Sequence, residues 1–248
     1  MKILITNDDG IHAPVLPHLV AFAKTFADEI VVVAPKVEQS GKSHAIDFTR
    51  PIEIREVPLA EGVRCYSMDS TPADCVRFAV LGLKEKFDLV LSGINRGFNL
   101  GGDLVYSGTA GAVFEAARLG IKGIALSTAP DDFLPAIASL PRLFEYFKTN
   151  ALLSRHGWYN VNLPKEPKGF RITRQGGIYY TDEFRRIDDV TYEQVGTPAA
   201  VTDTDPETDV LSLFGGYISI TPLIAVRTDL QIFDSLKKDL NHEPAAEG

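Results

Sequence analysis

Positive charge is scarce in this chain. Its 248 residues hold 25 Lys and Arg against 33 Asp and Glu, a net charge of −8. Without surplus cations to neutralise phosphates, a general nucleic-acid binder or an anionic-membrane binder is disfavoured. A small phosphate ligand stays admissible, because a local metal ion or backbone N–H groups can hold one. Cysteine is scarcer still. Cys65 and Cys75 stand ten apart, without metal-ligand spacing or a disulfide framework, so they read as buried free thiols. The five histidines, His12, His18, His44, His156 and His242, form no H-x-x-x-H pair, which argues against a histidine zinc site. No apolar run approaches the roughly 18 residues of a membrane span. Nor does the start show a basic, then apolar, then cleavable leader, so the expectation is a cytoplasmic protein with no membrane partner. No G-x-G-x-x-G follows the first apolar run, and G-x-S-x-G is absent, which removes a dinucleotide fingerprint and an α/β-hydrolase nucleophile.

What the chain does have is core material, 45% hydrophobic residues, in an orderly alternation. Strand-like runs occupy 2–6, 29–34, 87–92 and 122–127, and helical patterns fill 15–26, 73–83 and 110–119. The second helix has a start signal: Thr71 as N-cap, Pro72 at the first helical position and Asp74 three after the cap. Near-continuous apolar strands between helices predict an α/β fold, a mostly parallel sheet with helices on both faces. Beyond a helical stretch at 133–149 the pattern changes to short alternating segments at 158–164, 170–174 and 217–223, broken by a long polar region, 181–210. A helical pattern at 226–238 and a polar tail, 241–248, that reads as disordered complete the chain. The expectation is one domain, 1–248: a core over 1–130 bearing the active site, then a C-terminal antiparallel appendage over 131–248 that lies outside the parallel sheet and supplies oligomerisation segments.

Ligands in such sheets bind beyond the carboxyl ends of the strands, and three unusual loops lie there. The first, N-D-D-G at 7–10, sets two carboxylates side by side, and their repulsion must be offset by a metal, a helix N-terminus or solvent. Taken alone it is equally a turn or an N-cap. The second, P-K-V-E-Q-S-G-K-S-H at 35–44, looks like a Walker A loop but has Lys36 where that motif needs glycine, and an extended run follows it. Ser40, Ser43 and His44 remain candidates to line the crevice. The third, S-G-I-N-R-G-F-N-L-G-G-D-L-V-Y-S-G-T-A-G-A at 92–112, concentrates glycines between a strand end and a helix start. Glycine lets backbone amides approach an anion, and Ser107-Gly108-Thr109 at the helix start offers N–H groups and a macrodipole to phosphate. Asn95 and Asn99 add neutral oxygens. Carboxylate, hydroxyl and amide oxygens together suit Mg²⁺ or Mn²⁺.

These segments resemble the SurE survival proteins. The match runs in order through I-L-I-T-N-D-D-G, A-P-K-V-E-Q-S-G-K-S, S-T-P-A-D-C-V, the 92–112 block and, more loosely, N-V-N-L-P and Y-I-S-I-T-P-L. Ala110 stands where the family more often has Val, a change without chemical consequence, and 181–210 matches poorly. The resemblance implies a Rossmann-like core and a divalent-metal-dependent nucleotidase and acid phosphatase. It implies metal ligands at Asp8, Asp9, Ser40 and Asn95, with Asp8 and Asp9 catalytic, and phosphate or substrate binding at Asn99, Ser107, Gly108 and Thr109. One Mg²⁺ or Mn²⁺ per subunit, nucleoside monophosphates as substrates at the 5′ and also the 3′ position, and a homodimer or homotetramer follow from the same likeness. A nucleotide-binding regulatory protein without turnover and a glycosyltransferase-like enzyme are the alternatives, and phosphate release with and without metal separates them.

Overall fold

A computed structural model of the chain describes residues 1–240; the polar tail predicted to be disordered, 241–248, lies outside the described residues. In chain order the elements are β1 (Lys2–Thr6), α1 (Leu16–Ala23), β2 (Glu29–Pro35), β3 (Ile54–Glu56), β4 (Arg64–Met68) and α2 (Pro72–Arg77). They continue with β5 (Leu89–Arg96), α3 (Gly108–Arg118), β6 (Lys122–Thr128), α4 (Leu134–Thr149), α5 (Leu152–Arg155), β7 (Trp158–Leu163) and β8 (Gly169–Ile172). The last are β9 (Tyr180–Arg186), β10 (Tyr192–Pro198), α6 (Asp209–Phe214), β11 (Tyr217–Pro222) and α7 (Leu230–Leu240).

Nine strands form one sheet in the order β3-β4-β2-β1-β5-β6-β7-β11-β8, and β9 and β10 form a separate antiparallel pair. From β4 to β7 every neighbour is parallel. The pleat sends alternate residues to opposite faces. Ile3 and Ile5 pack with Leu16 and Leu19 of α1 and Leu140 and Leu143 of α4. Leu4, with Val31 and Val33, packs on the other face with Val76 of α2 and Ala112 and Ala116 of α3. Burying one such aliphatic side chain contributes about 1.5–3 kcal/mol, so both helix layers are held by the sheet they cover. The start of α2 is as the sequence signalled: Thr71 Oγ1 accepts from the Asp74 N–H at 3.2 Å.

After residue 150 the expected antiparallel element is present in the β9–β10 pair, while part of the segment lies in the main sheet. β7 pairs parallel with β6, so it joins the main sheet; β11 then runs antiparallel to β7, and β8 parallel to β11. The reason is burial on both faces: Tyr159, Val161 and Leu163 alternate into the same core as Ile3 and Ile5. Only the β9–β10 hairpin stands apart as a two-stranded antiparallel unit, and it occupies much of the polar region at 181–210. Short β3 and β4 were also not foreseen, because neither carries a long apolar run.

The sheet order places the site. After β1 the chain goes to one side for β2 and β4, and later to the other side for β5 and β6, so the switch of direction falls between β1 and β5. A crevice opens there at the carboxyl ends of the strands.

Candidate active site

The N-D-D-G turn follows β1 and is locked locally. Asn7 Nδ2 donates to Gly10 O at 2.9 Å, and Gly10 N donates back to Asn7 Oδ1 at 3.1 Å. Gly10 has φ +97°, a left-handed conformation that suits glycine. The turn therefore uses Asn7 for its geometry and frees Asp8 and Asp9 to face outward from the strand end.

Asp8 is 5% exposed and abuts the start of α3. Thr109 Oγ1 donates to Asp8 Oδ1 at 2.7 Å. Gly108 permits the approach, since a Cβ there would lie 3.1 Å from Asp8 Cβ and 3.2 Å from Asp8 Oδ2. Burial pushes the Asp8 carboxyl up to about 6, against the pull of the Thr109 hydroxyl, and the charge of Asp9 adds to the rise. Asp9 is partly buried and also raised, first by burial and then by Glu38. Its Oδ2 faces the Arg96 backbone N–H at 3.4 Å, toward the end of β5. Among the described residues neither carboxylate has a cationic side chain in ion-pair contact. The charge of Arg96 draws the Asp9 carboxyl down in part, but burial outweighs it, so two desolvated acids side by side are unfavourable as they stand.

The neighbouring loops bring oxygens. Asn95, at the end of β5, donates its Nδ2 to Gly97 O at 2.8 Å, which leaves Oδ1 for the crevice. Ser40 Oγ donates to Glu38 Oε1 at 2.6 Å and keeps its lone pairs, on a loop tied to the acids by Gln39 N donating to Asp8 O at 2.8 Å. Ser107 caps α3, its Oγ accepting from Ala110 N at 3.0 Å, and also reaches the crevice. Asp8, Ser40, Asn95, Asn99 and Ser107 thus line one cleft of about 460 Å³. Gly108 and Thr109 are buried beneath Asp8, so the Thr109 hydroxyl serves the carboxylate. A hard dication fits the donor chemistry of this set, carboxylate, hydroxyl and amide oxygens, although Asp9 does not line the cleft and the described residues hold no cluster of three or more His, Cys, Asp or Glu.

Two other residues predicted for the crevice point elsewhere. Ser43 Oγ donates to Val105 O at 2.6 Å, and His44 Nε2 meets Glu115 Oε2 at 2.8 Å, facing a different cavity. The loop turns after Gly41 and lies against α3, where a Cβ on Gly111 would stand 2.2 Å from Ser43 O. Conversely, several lining residues were not anticipated: Phe98, Asp103 and Tyr106 from the glycine-rich stretch, Tyr180 and Asp182 from the hairpin, and Tyr179 just before it. The second half thus reaches the site. It also holds the glycine-rich loop, because buried Asp209 accepts from Gly101 N at 3.0 Å and from Gly176 N at 2.8 Å. A Cβ on Gly101 would lie 2.0 Å from Gly177 O, so that contact depends on glycine.

Fold and site together define an α/β protein of Rossmann-like type whose switch-point crevice sets paired acids and neutral oxygens against a helix N-terminus. Known proteins narrow the class. The family model described as Survival protein SurE matches residues 3–182. The chain is 41% identical over 255 residues to a protein of Desulforudis audaxviator named 5′-nucleotidase SurE, an alignment covering 96% of this chain and 97% of that one. A protein of the same name from Natranaerobius thermophilus is 40% identical, covering 95% and 97%. The crystal structure of the SurE protein from Aquifex aeolicus matches with a TM-score of 0.76 and 32% identity, over 96% of this chain and 99% of that one. The chain belongs to the SurE family.

Proposed function

We propose that this chain is a divalent-metal-dependent phosphomonoesterase that hydrolyses nucleoside monophosphates to nucleoside and phosphate, with 5′-phosphates as its main substrates and 3′-phosphates a second class to assay. The observation that carries the reading is the Asp8–Asp9 pair, Asp8 buried against the N-terminus of α3 and Asp9 partly buried, with no ion pair to a cationic side chain among the described residues. The relatives named 5′-nucleotidase support the substrate class.

Asp8, Asp9, Ser40 and Asn95 would hold one Mg²⁺ or Mn²⁺. When bound, the ion would supply Lewis-acid polarisation of a phosphoryl oxygen and lower the pKa of a water. The Thr109 hydroxyl fixes the Asp8 carboxylate through its 2.7 Å hydrogen bond. The macrodipole at the start of α3 favours the charge that develops on the phosphoryl oxygens. Ser107 and Asn99 bind and orient the phosphomonoester beside them. Adjacent acids, in place of the D-x-D of a phospho-aspartate phosphatase, favour direct attack by water.

Phosphate release from a panel of 5′- and 3′-mononucleotides, with Mg²⁺ or Mn²⁺ and with excess chelator, tests the reading. Turnover should require the ion and return when it is restored. Full activity in chelator overturns the metal assignment; nucleotide binding without release favours the regulatory alternative.

A further inference from the structure

Strand β7 spends two buried amides where a covered sheet needs none. Its sequence is W-Y-N-V-N-L, in which Asn160 and Asn162 are both 0% exposed. Asparagine is disfavoured in strands, and a buried amide is costly unless it is hydrogen-bonded. Every protein hydrogen bond that these two side chains make goes to a single residue of the glycine-rich loop. Asn162 Oδ1 accepts from Asn99 N at 2.9 Å, and Asn162 Nδ2 donates to Asn99 O at 2.9 Å. Asn160 Nδ2 donates to the same Asn99 O at 2.7 Å, while Asn160 Oδ1 has no protein partner. Both polar groups of the Asn99 backbone are therefore gripped from β7.

The side chain of Asn99 is seated from β6, its Nδ2 donating to Ser127 Oγ at 2.8 Å. Ser127 is the register partner of Asn95 on one side and of Asn162 on the other. One row across three strands thus connects a candidate metal ligand, the seat of Asn99 and the clamp. Asn99 lines the crevice, whereas Asn160 and Asn162 do not.

We propose that Asn162, assisted by Asn160, is a positioning residue of the substrate site, fixing the Asn99 backbone so that its side chain meets the phosphomonoester. The inference rests on the reading of Asn99 as substrate-binding. The clamp spans 63 residues of sequence and makes the strand beyond the core a working part of the site.

The test is a double-mutant cycle with Asn162→Val, which suits a covered strand, and Asn99→Ala. The readouts are KM and kcat for a nucleoside monophosphate, inhibition by inorganic phosphate, and Mn²⁺ affinity by calorimetry. N162V should raise KM and weaken phosphate binding about tenfold, the scale of a lost hydrogen-bond pair. Mn²⁺ affinity should stay within about twofold, and N162V should add nothing in the N99A background. Additive effects, or an unchanged KM and phosphate affinity in a folded N162V, overturn the proposal. If N162V fails to fold, N160V carries the same cycle, with a smaller shift in the same direction expected and additivity again overturning it. Should the wild type release no phosphate, the nucleotidase reading falls, and the cycle read by phosphate binding alone still decides the clamp.

Discussion

At the scale of the residue, the chemistry turns on Asp8. Its folded-state pKa of about 6 lies above the ordinary 3.8 because burial disfavours the charge. Between those values the metal-free folded protein holds a proton that the unfolded chain has released. Stability therefore falls as pH rises through that window, by on the order of 3 kcal/mol. Chelated wild type should melt progressively lower from pH 4 to 6, while Asp8→Asn should flatten that slope, raise the melting temperature at pH 7 and abolish turnover. Thermal melts across pH read the first two effects, and a flat wild-type profile would contradict the burial argument. Beside it, Thr109→Ala removes the hydrogen bond that orients Asp8, and Ser107→Ala a polar group of the crevice. Each should lower catalytic efficiency ten- to a hundredfold, about 1.5–3 kcal/mol. Unchanged kinetics in Ser107→Ala would mean that the phosphate sits elsewhere, and in Thr109→Ala that Asp8 does not depend on this hydrogen bond.

At the scale of the element, α3 does more than present its N-terminus. Glu115, 1% exposed and two turns in, meets His44 at 2.8 Å, Arg77 at 3.1 Å and Arg118 at 2.8 Å. Burial alone would raise its carboxyl, but His44, Arg118 and Arg77 outweigh it and hold the group at about 2. A depressed carboxylate contributes stability above its unfolded pKa, and that contribution is lost as pH falls from about 4.5 toward 2. Glu115→Gln should therefore destabilise the protein at pH 7 by roughly 3 kcal/mol, the scale of breaking a buried ion pair. The gap to wild type should close as pH falls toward 2; urea titrations at pH 7 and at about pH 2.5 check both parts. Because His44 anchors the loop that carries Ser40, the variant should also bind Mn²⁺ more weakly.

At the scale of the whole molecule, the C-terminal helix is the feature without a place in the body. Leu230, Ile232, Phe233, Leu236 and Leu240 of α7 are all exposed, as are Ile224 and Val226 before it. Phe184, Ile187 and Val190 of the hairpin are exposed too. Apolar surface on this scale marks a protein partner, and a second copy of the same chain is the simplest one. We expect a homodimer or homotetramer at micromolar concentration by light scattering. Removing residues 226–248 should weaken assembly before it alters Mn²⁺ binding. A monomeric mass with full activity would end that reading. Among the described residues no helix is long and apolar enough to cross a membrane.

Local rules were enough for much of this protein. The apolar runs at 2–6, 29–34 and 122–127 became β1, β2 and β6, and the Thr71-Pro72-Asp74 signal opened α2, because burial and capping act over a few residues. Adjacent acids after an apolar strand and a glycine-rich loop before a helix were likewise legible, since each is contiguous. The rest required contacts that no local pattern encodes. That β7 continues the parallel sheet depends on its pairing with β6, which its alternation alone does not distinguish from an antiparallel partner. That Thr109 grips Asp8 across 101 residues, that His44 turns away to Glu115, and that Asp209 and Asn162 hold the glycine-rich loop were decided by tertiary structure. A hydrogen bond has no sequence period. Its partners are chosen by where the sheet brings two strand ends together, and only the folded chain contains that information.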